Sequence, residues 1–502
     1  MKLFSAEQIR TWEQYTIKHT PISSLDLMER AAQASVQRIM KLTSIKDYLI
    51  FCGAGNNGGD GLAIARLLKE YNCNVEVVFI KAENISEETA VNLECLAPLE
   101  IKVREVQGVS EIDWDNYSLK EFLVIDALLG TGLNRPLEGS YAGIVKCINA
   151  LNKKIISIDL PSGLCADKEV QETDVVIKAW ATITLQVPKR TFFYASSKPY
   201  IGDWYVEDIG LLNAFVEENS SSLYLTTLKD MAKIYKPRGA FSHKGNFGKG
   251  LLMAGSYGMM GAAVLASKAC LRSGIGLLKV YTPRCGYEIM QTSVPEAMVL
   301  CDKNTEEFSE CPLELDFNAI AIGPGWPEGD RALQVLTTLL KTVKLPTVID
   351  AGALNVLSRD KSLLAEICEG SILTPHPKEF ERLAGKKLSR QESEELALQW
   401  AKEYNICFIL KGKNSAVVLP DGTIHYNSTG NPGMAKGGSG DCLTGILLAL
   451  LAQGYSTEET AIMGVYMHGY AGDRAASYHS QEAMLPSDLI DCIGEFFEKI
   501  KE

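Results

Sequence analysis

From Asp47 onward, short apolar runs alternate with longer amphipathic segments. Tyr48-Leu49-Ile50-Phe51-Cys52 predicts a buried strand, a glycine-rich loop follows, and Leu62 to Tyr71 predicts a helix with Ala63, Leu67 and Leu68 inward. Val75 to Ile80 predicts a second strand and Glu87 to Leu96 a helix. Phe122 to Asp126 and Lys154 to Asp159 predict two more strands, separated by a helix near Tyr141 to Leu151. Alternation of this kind specifies a parallel, doubly wound sheet. Both later strands end in aspartate, followed by Gly130-Thr131-Gly132 and by Pro161-Ser162-Gly163. Ligands of such sheets sit at the carboxyl ends of the strands, where these loops meet.

The pattern weakens between Val216 and Lys236, around the polar Glu217-Glu218-Asn219-Ser220-Ser221-Ser222, which puts a domain boundary near residue 225. The alternation restarts with Gly250 to Gly255 and continues through Leu277 to Tyr281, Ala319 to Gly323, Thr347 to Asp350 and Cys407 to Lys411. Helices of Ala/Leu type lie between these strands. No fixed-period repeat relates the halves, so the expected fold class is α/β with two different domains: a Rossmann-like doubly wound sheet over residues 1–225 and a second α/β domain over 226–502.

A length of 502 residues exceeds what one core supports and agrees with that division. The net charge of −12, with no basic stripe, argues against duplex nucleic acid as a partner, though not against nucleotides held by local dipoles. No stretch approaches ~18 uninterrupted apolar residues, so no membrane span is expected. Met1-Lys2-Leu3-Phe4-Ser5-Ala6-Glu7 turns polar too soon to predict a signal peptide. The 13 cysteines are scattered and include no Cys-x-x-Cys pair, which suits free thiols in a reducing cytoplasm.

Two glycine-rich acidic segments carry the chemistry. Gly53-Ala54-Gly55-Asn56-Asn57-Gly58-Gly59-Asp60-Gly61 follows the first strand, and Gly437-Gly438-Ser439-Gly440-Asp441 opens a long apolar helix. Such turns aim backbone N–H groups at an anion, yet each of these ends in a carboxylate that a purely phosphate-cradling loop would avoid. In the first half Asn56, Asn57, Asp60, Asp126, Asp159 and Ser162 converge on one mouth, an oxygen-rich set that suits a hard cation of low charge density. The bland alternative is that the glycines serve a tight turn and the aspartates cap helices. In the second half, amides at Gly438, Ser439 and Gly440 can form an anion hole, with Asp441 as the base that deprotonates a hydroxyl attacking a phosphoryl group. The bland reading there is a helix cap with an acidic first turn.

Gly55 to Gly61, Asp126-Ala127-Leu128-Leu129-Gly130-Thr131-Gly132 and Asp159-Leu160-Pro161-Ser162-Gly163 together resemble the NAD(P)H-hydrate epimerase (YjeF N-terminal) family, over roughly residues 1–215. The resemblance implies that Asn57, Asp126 and Ser162 bind K⁺. It also implies that Asn56, Asn57, Gly58, Gly59 and Asp60, with Gly130, Thr131, Gly132, Leu133, Asn134, Arg135 and Pro136, line the hydrated nucleotide. Asp159 would contact the hydrate and is the candidate for moving a proton.

Gly437 to Asp441 resembles the anion-hole and base motif of ribokinase-like kinases. Gly245 to Gly250, Gly258 to Ala263, Gly323-Pro324-Gly325, Asp350 to Leu354 and Thr374 to Phe380 narrow the likeness to the ADP/ATP-dependent NAD(P)H-hydrate dehydratases, over about residues 226–500. By that resemblance the second domain is ribokinase-like. Ala262, Gly325, His376 and Asp441 would contact the hydrate, and Lys411, Gly412, Lys413, Asn414, Ser415 and Gly440 the adenine nucleotide. The implied activity is two-fold: interconversion of the R and S hydrates NADHX and NADPHX, and dehydration of the S form at the expense of Mg²⁺·ADP, giving AMP and phosphate. A homo-oligomer is implied as well, with small-molecule nucleotides as ligands.

Lys436 departs from the small hydroxyl residue expected there and reads as extra charge near the phosphates. His19, His425, His468 and His479 read as isolated surface or core residues, and Glu392-Glu394-Glu395 as a solvated helix face. Two rivals stay open on residues alone: a vitamin or sugar kinase with an accessory nucleotide-binding domain, and a non-catalytic nucleotide sensor.

Overall fold

The computed structural model describes residues 1–312 and 316–501. They form two compact units, Lys2–Ser221 and the chain from Ser222 onward. The division falls at Ser221/Ser222, just ahead of the boundary expected near residue 225, because Leu223–Leu225 is a strand paired with Ile424–Asn427 of the second unit.

The first unit carries a seven-stranded sheet. Its strands lie in the order Lys102–Val106, Asn74–Ile80, Asp47–Cys52, Leu123–Ala127, Ile155–Ile158, Ala181–Leu185 and Asp203–Glu207. All neighbours are parallel. The chain order reverses between Asp47–Cys52 and Leu123–Ala127, the crevice where a doubly wound sheet holds its ligand. These two strands are continuous apolar runs because parallel sheets are covered on both faces. Both bury completely or nearly so, apart from Asp47 at the first strand's start. Helices Ser24–Leu42 and Asn56–Glu70 pack on one face, with Ala32, Val36, Ile39, Ile64 and Leu68 in the shared core.

In the second unit the strands from Leu223 on lie in the order Leu223–Leu225, Ile424–Asn427, Ser415–Val418, Cys407–Leu410, Ile372–Leu373, Thr347–Ile349, Ala319–Ile322, Lys249–Met253, Leu277–Thr282 and Met298–Cys301. Pairing is parallel from Cys407–Leu410 to Met298–Cys301 and antiparallel in the meander Cys407–Leu410, Ser415–Val418, Ile424–Asn427. Helix Ser439–Ala452 is apolar on every side, and all but Gly440 and Asp441 of its residues are buried. It runs between helix Met260–Arg272 and the sheet, so tightly that a Cβ on Gly445 would lie 2.0 Å from the Ala266 carbonyl oxygen. Among the described residues no helix is long and apolar enough to cross a membrane.

Candidate functional sites

In the first unit the glycine-rich segment is not a loop before a helix. The helix begins at Asn56 and not near Leu62, with Gly55 as its cap in an extended conformation. Close packing explains this: a Cβ on Gly58 would lie 1.8 Å from the Gly53 carbonyl oxygen. Only glycine lets the first turn press so closely onto the strand end. Gly58 and Gly59 are therefore buried behind the site, whereas Asn56, Asn57 and Asp60 line a cavity of about 650 Å³. Gly130, Thr131, Gly132, Leu133 and Asp159 line it too. Asn134, Arg135 and Pro136, expected there as well, are exposed and lie outside the lining.

Asp126 and Ser162 are fully buried and do not themselves line the cavity, although Leu129, whose amide donates to Ser162 Oγ, does. The Asp126 carboxylate accepts from Ser162 Oγ at 2.6 Å, Ser157 Oγ at 2.7 Å and Ser162 N at 2.9 Å. Burial still pushes its pKa up despite these donors. Asn57 is buried with neither Oδ1 nor Nδ2 partnered. An orphaned buried amide is costly, so the site is built to be completed by a ligand. Amide oxygen, carboxylate and hydroxyl together fit a monovalent hard cation.

Asp159 has φ +63°, in the left-handed region that non-glycine residues rarely occupy. Its Oδ1 accepts from Lys189 Nζ at 2.5 Å. That ammonium is 1% exposed and also donates to Thr184 Oγ1 and to the Leu185 and Val187 carbonyls. Around the pair stand further carboxyls. Burial, with Asp159 and Glu13 adding repulsion, pushes Asp60 well up. Burial and Asp159 push Glu13 to about 7, against the pull of Lys189 and Arg10. Lys189, Glu13 and Arg10 escape the sequence reading. Lys189 follows a strand that the apolar pattern does not reveal. Arg10 and Glu13 sit on helix Ala6–His19, whose buried Ile9, Trp12 and Thr16 turn the opposite face to the cavity.

In the second unit helix Ser439–Ala452 starts after Gly438, which has φ +98°. Its first amides have no intrahelical acceptor, although that of Ser439 donates to the Lys436 carbonyl at 3.3 Å, and Asp441 stands in the first turn. Burial and the nearby Asp350 raise Asp441 to about 6, against Lys411. Asp350, at the end of strand Thr347–Ile349, accepts from Lys411 Nζ at 2.5 Å and Thr444 Oγ1 at 2.7 Å. Burial alone would raise Asp350, but Lys411 and the hydroxyl outweigh it and hold it below its ordinary value. Gly440 abuts this pair: a Cβ there would lie 3.4 Å from Lys411 Nζ. The sequence assigns Lys411, Gly440 and Asp441 to the site but gives Asp350 and Thr444 no role.

Gly323-Pro324-Gly325 presses against the same strand end, and Gly325 lies against the Met259 carbonyl beside half-buried Ala262. His376 caps helix Pro377–Ala384: its Nδ1 accepts from the Lys378 and Glu379 amides, and Glu379 returns a bond to its N–H at 2.8 Å. Its side chain is 48% exposed, and burial with Lys411 lowers its pKa, so it is a neutral ring with the proton on Nε2. His468, which the sequence leaves isolated, donates from Nε2 to the Ser439 carbonyl at 2.9 Å, behind the anion hole.

Lys411, Gly412, Lys413, Asn414 and Ser415 form the turn between Cys407–Leu410 and Ser415–Val418. Lys413 Nζ donates to the Gly430 carbonyl and Ser415 Oγ to that of Gly412. Arg390 clips both ends of the turn, donating to the Leu410 and Asn414 carbonyls. Two sequence readings fail here. Glu394 is not solvated but 0% exposed, accepting from Arg390 at 3.0 Å and Tyr426 at 2.7 Å. Lys436 spends its hydrogen bonds elsewhere than on the hole: its Nζ donates to the Glu482 and Met484 carbonyls.

The family model described as NAD(P)H-hydrate dehydratase matches residues 250–495, and that described as YjeF-related protein N-terminus matches residues 24–191. The bifunctional NAD(P)H-hydrate repair enzyme Nnr of Moorella thermoacetica is 34% identical, over 100% of this chain and 98% of that protein. Its counterpart in Thermofilum pendens is 32% identical, over 100% and 97%. A crystal structure of the ADP/ATP-dependent NAD(P)H-hydrate dehydratase from Bacillus subtilis, co-crystallized with ATP/Mg²⁺, is 32% identical with a TM-score of 0.49, covering 56% of this chain and 100% of that one. With both units matched in order along the full chain, the protein belongs to the family of bifunctional NAD(P)H-hydrate repair enzymes, an epimerase-family unit followed by a dehydratase-family unit.

Proposed function

We propose that the first unit interconverts R and S NAD(P)H-hydrate and the second dehydrates the S form with ADP, releasing AMP and phosphate. The observation that carries this reading is the carboxyl group of Asp441, raised to about 6 at the open end of a helix beside Lys411. It is a base poised near neutral pH, next to a cradle for a transferring phosphoryl group.

The substrate hydroxyl is a poor leaving group. Asp441 takes its proton as the oxygen attacks the terminal phosphorus of ADP, and the bond to AMP breaks. Mg²⁺ arrives as part of the nucleotide substrate. The Gly440 and Asp441 amides at the start of the helix stabilise the moving charge. Phosphate then departs with the carbon–oxygen bonding pair, the ring nitrogen lone pair drives it out, and loss of a proton from the adjacent ring carbon restores the dihydronicotinamide. His376, whose Nε2 lies 3.3 Å from Glu379 Oε1, would contact the hydrate through Nε2–H.

In the first unit Asp159, held by Lys189, is the candidate base. Asn57 Oδ1, Asp126 and Ser162 would hold K⁺, and a bound ion would supply a fixed positive charge beside the nucleotide phosphates. Asn57 Nδ2 remains free to donate to substrate. Thirteen free cysteines support a reducing, cytoplasmic setting, and the family reading carries with it a homo-oligomer, to be checked by light scattering.

The test uses an R/S hydrate mixture and follows absorbance of the reduced nicotinamide. With ADP in excess, recovery runs to completion, beyond the S fraction supplied. No recovery with ADP or ATP overturns the dehydratase, and recovery that stops at the S fraction overturns the epimerase. Exchanging K⁺ for Na⁺ slows epimerisation; an unchanged rate removes the ion from the reading.

A further inference from the structure

Inverting the hydroxyl-bearing ring carbon requires two proton movements, one to the oxygen that leaves and one from the water that returns. Asp159 alone supplies one carboxyl group. Helix Ala6–His19 offers another: Arg10, Glu13, Gln14 and Ile17, at helical spacing, line the cavity. The helix is held rigidly on its other side, where Trp12 stacks on Phe215 at 5.7 Å and meets Phe4 edge-on at 5.3 Å. The matched epimerase-family region begins at residue 24, so this wall lies ahead of it.

We propose that Glu13 is the second acid–base group of the epimerase cavity, working as a pair with Asp159. Glu13 gives its carboxyl proton to the hydroxyl oxygen as the carbon–oxygen bond breaks. The ring nitrogen lone pair forms a C=N bond, and water is released. Water then adds to the other face, the C=N pair returns to nitrogen, and Asp159 accepts the proton that the water loses. The reverse direction runs from protonated Asp159 to ionised Glu13, so the pair holds one proton in both directions.

Three features support this assignment. The groups facing Glu13 are Arg10 on its own helix, Asp60 on helix Asn56–Glu70, and Asp159 with Lys189 from the strand-end loops. Burial first, and then these charges, leave Glu13 at about 7, where a carboxylic acid exchanges protons readily at neutral pH, whereas burial pushes Asp60 well above its ordinary value. The second unit repeats the arrangement: Asp350, paired with Lys411, stands beside unpaired Asp441 at about 6. In each site burial raises an unpaired carboxyl toward neutrality, and the charge of a lysine-paired aspartate adds to it.

This inference rests on the epimerase reading, and the experiment separates the two. Interconversion of purified R and S hydrates is followed by chromatography, without ADP, using the full chain. Glu13→Gln is expected to lower kcat by roughly 10²- to 10⁴-fold, with Glu13→Asp recovering part of the rate. Dehydration of S-hydrate with ADP by the same preparation reports that the chain is folded. The unmutated chain needs no variant: its epimerisation rate falls as pH rises through about 7, where Glu13 loses its proton. A flat profile to pH 9, or a Glu13→Gln rate within a few-fold of the parent, overturns the role of Glu13. An unmutated chain that fails to interconvert the epimers overturns the epimerase reading and this inference with it.

Discussion

Replacing Asp441 with asparagine is expected to lower the dehydration rate on the order of 10²- to 10⁴-fold while ADP still binds. The side chain keeps its shape and its place in the first turn of helix Ser439–Ala452, so the amide cradle survives and only the base is lost. The pH dependence gives an independent check. A base must be ionised to act. Asp441 is raised to about 6, chiefly by burial, so the parent rate climbs with pH through about 6 and levels off above it. The variant lacks that limb. Single-turnover dehydration of S-hydrate, with ADP affinity from calorimetry, measures both. A variant within ten-fold of the parent, or a parent limb near the ordinary aspartate value, removes Asp441 from the base position.

The contrast with Asp350 shows which of the two carboxylates in this pocket titrates near neutral pH. Asp350 is bound to Lys411 and Thr444 and held below its ordinary value. Asp441 is raised by burial and by the repulsion of that fixed charge, with Lys411 opposing but not hydrogen-bonded to it. Two aspartates in one pocket thus divide into a charged orienting group and a proton acceptor. The backbone shares in this: Ala351, directly after Asp350, has φ +45°.

What the sequence reveals follows from how each element is solvated. Tyr48 to Cys52 and Leu123 to Ile125 are covered on both faces and read as uninterrupted apolar runs. The edge strands Lys102–Val106 and Asp203–Glu207 expose charged positions and do not stand out. Ala181–Leu185 is central, but its inward Thr182 and Thr184 interrupt the apolar signal. Missing that strand hides Lys189, whose partner lies 30 residues earlier in the chain. The aspartates at strand ends are legible because parallel topology gathers strand ends without any need for distances. Glu394 is misread for the converse reason. A run of acids looks solvated, and only the fold brings Arg390 and Tyr426 to it.

The Lys189–Asp159 pair carries the second large effect. Lys189→Met would leave the Asp159 carboxylate buried with only the Leu185 amide at 3.2 Å and Thr184 Oγ1 at 3.5 Å. Breaking one side of a buried pair costs about 3–5 kcal/mol, because the remaining charge is uncompensated. Against a total stability of roughly 5–15 kcal/mol, such a loss exposes the first unit to local unfolding. Hydrogen exchange of peptides covering strands Ile155–Ile158 and Ala181–Leu185 should therefore accelerate strongly. Epimerisation should fall to background in the same protein. Lys189→Met combined with Asp159→Leu removes both charges, and much of the protection should return while epimerisation stays absent. That separation distinguishes a charge that maintains the fold from one that performs the chemistry. If the single variant exchanges as slowly as the parent, the pair is not a structural anchor. If the double variant exchanges as fast as the single one, the lost packing of the lysine stem, and not the orphaned carboxylate, accounts for the instability.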